Sequence, residues 1–179
     1  MSADGKGPPS EPDVPPLSAS PPESVFISYS PEDVKFLKML MRHLEVLQNE
    51  GLIRVFNREA LRPGALWNEI TESEISSAAA AILLVTPDYL ASRALMKDQL
   101  PSLLAHAAEA GTAIMPLLVK PSLFYNLPHL YRFKPFNPTP KTLIDMRSGE
   151  RERFLVSVAE AVAEEVFHRR TGHGDDLQL

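Results

Sequence analysis

The run Ala81 to Thr86, A-I-L-L-V-T, constrains this chain more than any other feature. A strand with one wet face alternates polar and apolar side chains, and this one does not, so both of its faces must be covered. Ala113 to Val119 is a second fully apolar run, closed by Lys120-Pro121. Strands of this kind belong to parallel sheets, whose neighbours are joined by helical crossovers passing over either face. The expectation is an α/β protein.

The rest of the chain supplies the crossovers. Ser24 to Ser28 reads as a first strand ended by Ser30-Pro31. Val34, Leu37, Met41, Leu44 and Leu47 then recur at helical spacing, with Ser30 as N-cap, Pro31 in the first helical position and Gly51 as the stop. Leu52 to Phe56 predicts a second strand, Asn57 to Leu66 a loop, and Trp67 to Ala78 a second helix. Tyr89 to Ala110 is helical in composition, with Pro101 marking a kink or a new first turn, and Gly111 closes it. Ser122 to Thr142 is proline-rich and predicts short irregular helices with at most one brief strand. Phe154, Val158, Val162 and Val166 form the buried stripe of a last helix over Glu152 to Arg169. The sum is a central parallel sheet of about five strands with helices on both faces, in which ligands gather at the carboxyl ends of the strands. That edge carries Ser28 and Tyr29, the 57 to 67 loop and the Thr86 to Tyr89 turn.

The domain is expected over residues 24–170, after a disordered proline-rich leader at 1–23 and before a flexible tail at 171–179. The leader holds almost no large apolar side chains with which to offset the cost of ordering. Over the chain, 44% hydrophobic and 23% charged residues match an ordinary globular protein. The net charge of -5 gives no cationic surplus for a phosphate backbone, so direct nucleic-acid binding is not expected. The 0 cysteines exclude disulfides and thiol nucleophiles, and His43, His106, His129, His168 and His173 form no pair at metal-ligand spacing, so no metal is expected. No apolar run reaches the roughly 20 residues that a bilayer demands, and the reading is of a cytosolic protein without a membrane partner.

Val25-Phe26-Ile27-Ser28-Tyr29-Ser30, followed by Asp33 and an amphipathic helix, resembles the opening of Toll/interleukin receptor (TIR) domains of the bacterial type. Gly51-Leu52-Ile53, the segment Leu61 to Trp67, the segment Leu83 to Ser92, Leu100-Pro101, Ala110-Gly111 and the segment Ile114 to Pro121 follow in that family's order. The resemblance spans residues 24 to about 168 and implies a flavodoxin-like fold. It also implies one of two activities. TIR domains either assemble with other TIR domains to signal, as homo-oligomers or filaments, or cleave the nicotinamide–ribose bond of NAD, which is then substrate and not cofactor; the bacterial branch makes a role in antiviral immunity an expectation.

The NAD chemistry needs neither metal nor thiol. Nicotinamide leaves as a neutral base from a cationic pyridinium, so what helps is a carboxylate that stabilises positive charge developing on the ribose. The resemblance implies a glutamate on the second helix for this role, and Glu69 is the candidate, with Glu72 one turn later as its rival. Direct register from Trp67, however, puts Ile70 at the family's glutamate position. Asn57 and Gln99 stand where relatives often carry Asp and Glu, two departures that each neutralise a charge. Ser28, Tyr29 and Trp67 are candidates for contact with the dinucleotide, or else for turn closure and packing. Arg62, Pro63 and Gly64 match the family's assembly loop, the plainer reading being a tight turn. A phosphoacceptor receiver on the same fold is excluded, since its acidic pair after the first strand is missing.

Overall fold

The computed structural model describes residues 21–60, 67–138 and 140–172. Four parallel strands, β1 (Glu23–Ser28), β2 (Ile53–Phe56), β3 (Ala78–Val85) and β4 (Ala113–Leu118), form one sheet in the order β2-β1-β3-β4. Every residue of β3 is buried, as a strand without polar alternation requires. Its side chains alternate between two cores. Ile82 and Leu84 join Leu37, Leu40 and Leu44 of helix α1 (Val34–Asn49) and Leu155, Val158 and Val162 of helix α6 (Ser148–Gly172). Ala81, Leu83 and Val85 face Ile75 of α2 (Trp67–Ser77) and Leu100 and Leu103 of α4 (Leu100–Ala110) on the other side.

Gly51 and Gly111 end the first and fourth helices at φ 67° and 70°, left-handed values that a side chain would resist. The start of the first helix differs from expectation. Pro31–Asp33 is a 3-10 turn, the Ser30 hydroxyl makes no capping bond, and it is the Ser30 carbonyl that accepts from the Asp33 N–H at 2.8 Å. The predicted helical stretch from Tyr89 to Ala110 resolves into three pieces: α3 (Pro87–Ala91), a π-helical turn over Ala94–Gln99, and α4. Pro101 supplies the reason. In a continuous α-helix its ring would meet the carbonyl of Lys97, and widening the preceding turn relieves the clash.

The expected fifth strand is absent among the described residues. Beside β4 runs the segment 133–137, which makes a single backbone bond to it, from the Phe136 N–H to the Pro116 carbonyl at 2.9 Å. Pro116 has no N–H to return and Pro135 none to offer, so a ladder cannot propagate. The Asn137 side chain substitutes for one, accepting from the Leu118 N–H at 2.7 Å and donating to the Leu118 carbonyl at 2.9 Å. Among the described residues between β4 and α6 lie a 3-10 turn at Phe124–Asn126, the short α5 (Pro128–Tyr131) and a second 3-10 turn at Leu143–Asp145. No helix among the described residues is long and apolar enough to cross a membrane.

Candidate functional site

The carboxyl edge of the sheet carries two polar constellations side by side. In the first, the Asp33 carboxylate is fully buried at the end of the 3-10 turn. Lys120, just past β4, reaches its Oδ1 at 2.7 Å, and the Thr86 hydroxyl donates to its Oδ2 at 2.5 Å. Lys120 also lies 3.3 Å from Asp88 and over the Phe36 ring, 5.6 Å from its centroid. The bond that Lys120 donates to Asp33 is the main reason that the Lys120 pKa is raised, with burial opposing it.

The second constellation lies under a cleft, whose lining it reaches through Gln99. Ser28, buried at the end of β1, donates to Oε1 of Gln99 at the end of the π-turn. A serine has one proton to give, so the Tyr89 hydroxyl, 2.9 Å away, is the donor toward Ser28. Burial pushes the Tyr89 phenol up to about 12, so the ring stays protonated and able to donate. The cleft, of about 630 Å³, opens between α2 and the π-turn and is lined among others by Arg58, Thr71, Glu72, Asp98, Gln99 and Ser102. The Thr71 hydroxyl is buried there without a hydrogen-bond partner among the described residues.

The candidates from sequence fall as follows. Ser28 is buried outside the cleft lining and meets it only through its bond to Gln99. Tyr29 is buried in the core on the α1 side, where burial first and the charge of Glu59 second raise its pKa. Glu69 is exposed in the first turn of α2, and Ile70, next to it, packs against the core that α2 covers. Glu72 is exposed and lines the cleft, accepting from the Ser102 hydroxyl at 3.2 Å. Trp67 opens α2. Arg62, Pro63 and Gly64 lie outside the described residues. Asn57 is buried and turns its Oδ1 onto the Glu59 N–H at 2.9 Å, closing the chain after β2.

Gln99 is the site residue that sequence reasoning undervalued. It stood out only as a neutral residue where relatives often carry glutamate, whereas the fold brings it against Ser28 from 71 positions away. The Asp33, Thr86, Lys120 cluster gave no sequence signal beyond an acid in a first turn. Among the described residues no group of three acidic, histidine or cysteine side chains could hold a metal ion.

A parallel α/β sheet with its polar clusters at the carboxyl edge defines the structural class, and comparison with known proteins narrows it. The TIR domain family model matches residues 25–156, so the chain belongs to the TIR domain family. No curated protein matches. Among solved structures, the TIR domain heterodimer of RPS4 and RRS1 is 15% identical with a TM-score of 0.51, over 81% of this chain and 99% of that one. The TIR domain of the Toll-related receptor TRR-2 from Hydra magnipapillata is 22% identical with a TM-score of 0.42, over 55% and 71%. The TIR domains of the activated Roq1 resistosome, which recognises the effector XopQ, are 19% identical with a TM-score of 0.47, over 77% and 84%. The heterodimer carries the likeness, and it is a likeness of fold.

Proposed function

We propose that this chain is a TIR interaction module that works by assembling with other TIR domains, and that in its present sequence it does not turn over NAD. The observation that carries this reading is Ile70. At the α2 position where the family resemblance has its catalytic glutamate stands an alkyl side chain packed against the core, and Gln99, in the lining of the cleft, is a neutral carboxamide where relatives often carry Glu. Neither an alkyl group nor an amide can offer the negative charge that an oxocarbenium-like transition state calls for. Glu69 is exposed on the first turn of α2, where an acid complements the helix dipole.

One observation favours the other reading. Glu72 lines the same cleft, tied to Ser102 across the α2–α4 seam, and would be the carboxylate of an NAD glycohydrolase or cyclase active on self-association. The two readings part in one experiment. The purified chain is incubated with NAD at high protein concentration, while free nicotinamide and particle mass are followed together. The module reading expects mass to rise with concentration, NAD to stay intact, and Arg62→Ala to lower the mass. Nicotinamide release that disappears in Glu72→Gln would overturn it in favour of the hydrolase.

A further inference from the structure

The two constellations at the sheet edge are one connected chain of hydrogen bonds. Lys120 donates to Asp33 at 2.7 Å, and Thr86 donates its only hydroxyl proton to the other oxygen of the same carboxylate at 2.5 Å. The Thr86 oxygen is thereby left to accept the Tyr89 N–H at 3.0 Å, which fixes the first turn of α3. The Tyr89 hydroxyl then holds Ser28, and Ser28 holds Gln99. Both Asp33 and Tyr89 are 0% exposed, so those two links are shielded from bulk solvent. The outer end is different: the Lys120 side chain is 27% exposed and Asp88 beside it 49%.

We propose that Lys120 and Asp33 are an outer latch that sets the position of the Gln99 carboxamide, so that an anionic partner group engaging Lys120 at the rim alters the lining of the cleft. An incoming anion competes with two carboxylates for one ammonium. A buried carboxylate deprived of its cation is costly, and turning outward is its nearest relief. That movement takes the Thr86 hydroxyl with it, and with the hydroxyl goes the anchor of α3. Downstream, α3 leads into the π-turn over Ala94–Gln99 that brings Gln99 against Ser28, so loosening α3 shifts the carboxamide. The proposal stands whether or not the cleft performs chemistry.

The test is amide hydrogen exchange on the full chain, read together with the NMR signals of the Gln99 side-chain amide. In Lys120→Gln and Thr86→Val, exchange over residues 94–100 should rise about tenfold relative to residues 155–166 of α6, the size expected for losing one hydrogen bond to a charged group, and the Gln99 signals should move. Thr86→Ser, which keeps the hydroxyl, should behave as the parent does. Adding an oligoglutamate peptide to the parent should reproduce the pattern of Lys120→Gln. Thr86→Val, which leaves Lys120 paired with Asp33, carries the test should Lys120→Gln fail to fold. Changes confined to residues 33–36 and 118–121 with the Gln99 signals fixed, a uniform rise that includes α6, or no response to the peptide would each overturn the proposal.

Discussion

Replacing Asn137 by alanine should destabilise the domain by about 2–4 kcal/mol, far more than the loss of an ordinary loop side chain. Asn137 is 5% exposed and makes three bonds, two to the peptide groups of Leu118 and one from Nδ2 to the Lys141 carbonyl at 3.1 Å. Leu118 is itself buried, at 4% exposure. Truncation therefore strands both an N–H and a C=O at the outer edge of β4, and each unsatisfied buried group costs about 1–3 kcal/mol. Because the segment 133–137 otherwise holds β4 by the Phe136 bond alone, little remains to keep the gap closed. Some water entering the edge brings the total toward the lower half of the summed range. Urea denaturation at a shared m-value measures it directly, and the melting temperature should fall by about 4–16 °C on the usual conversion for a domain of this size. Asn137→Asp should be no rescue, since it retains the acceptor for the Leu118 N–H but sets a carboxylate oxygen against the Leu118 carbonyl. A loss below about 0.5 kcal/mol in Asn137→Ala would refute the claim that a side chain stands in for the missing strand.

Three further outcomes are expected. Lys120→Met should cost about 3 kcal/mol by leaving the Asp33 carboxylate without its cation, and Asp33→Asn in the same chain should restore part of it. Since the folded-state pKa of Lys120 is raised, the difference in stability between parent and Lys120→Met should be constant below about pH 10, where the unfolded lysine is still protonated, and shrink as pH climbs through the folded value. Asp145 accepts from both the hydroxyl and the N–H of Thr142, and these bonds lower its pKa; NMR titration should find its midpoint below the usual aspartate range, with Thr142→Val returning it upward and the capping contribution lost only as pH falls through that low value. Gln99→Glu places a carboxylate where Ser28 can donate to it, and nicotinamide release from NAD by that variant, against none from the parent, would show that the missing charge is what silences the cleft.

The architecture was legible wherever hydrophobic patterning alone decides structure. β3 and β4 carry apolar runs that admit only a covered strand, and the stripe Val158, Val162, Val166 on α6 is buried as its spacing requires. Legibility failed where a backbone group had to find an unusual partner. Asn137 between Phe136 and Pro138 reads as a turn residue, and nothing local announces that its amide will face Leu118 from 19 positions away. Ser30 reads as an N-cap, but the buried salt bridge recruits Asp33 inward and the turn tightens to 3-10 instead. The fifth strand is a related case, because prolines on both sides of the seam delete the donors that a ladder would use.

The site was harder to read for a different reason, which is register. A helix presents a given face every 3.6 residues, so a single inserted residue moves a side chain by more than a quarter of a turn. On α2 the difference between Glu69 and Ile70 is the difference between an exposed acid and an alkyl group against the core. Between α3 and α4 the π-turn makes just such an insertion, and it is this widening, imposed by Pro101, that accompanies Gln99 onto Ser28. Sequence spacing assumes regular helices and so misplaces side chains at the very turns where helices depart from regularity. The cleft is built at one of those turns, and the residue that the wide turn delivers to its lining is an amide, which holds a position in a hydrogen-bonded chain without supplying a charge.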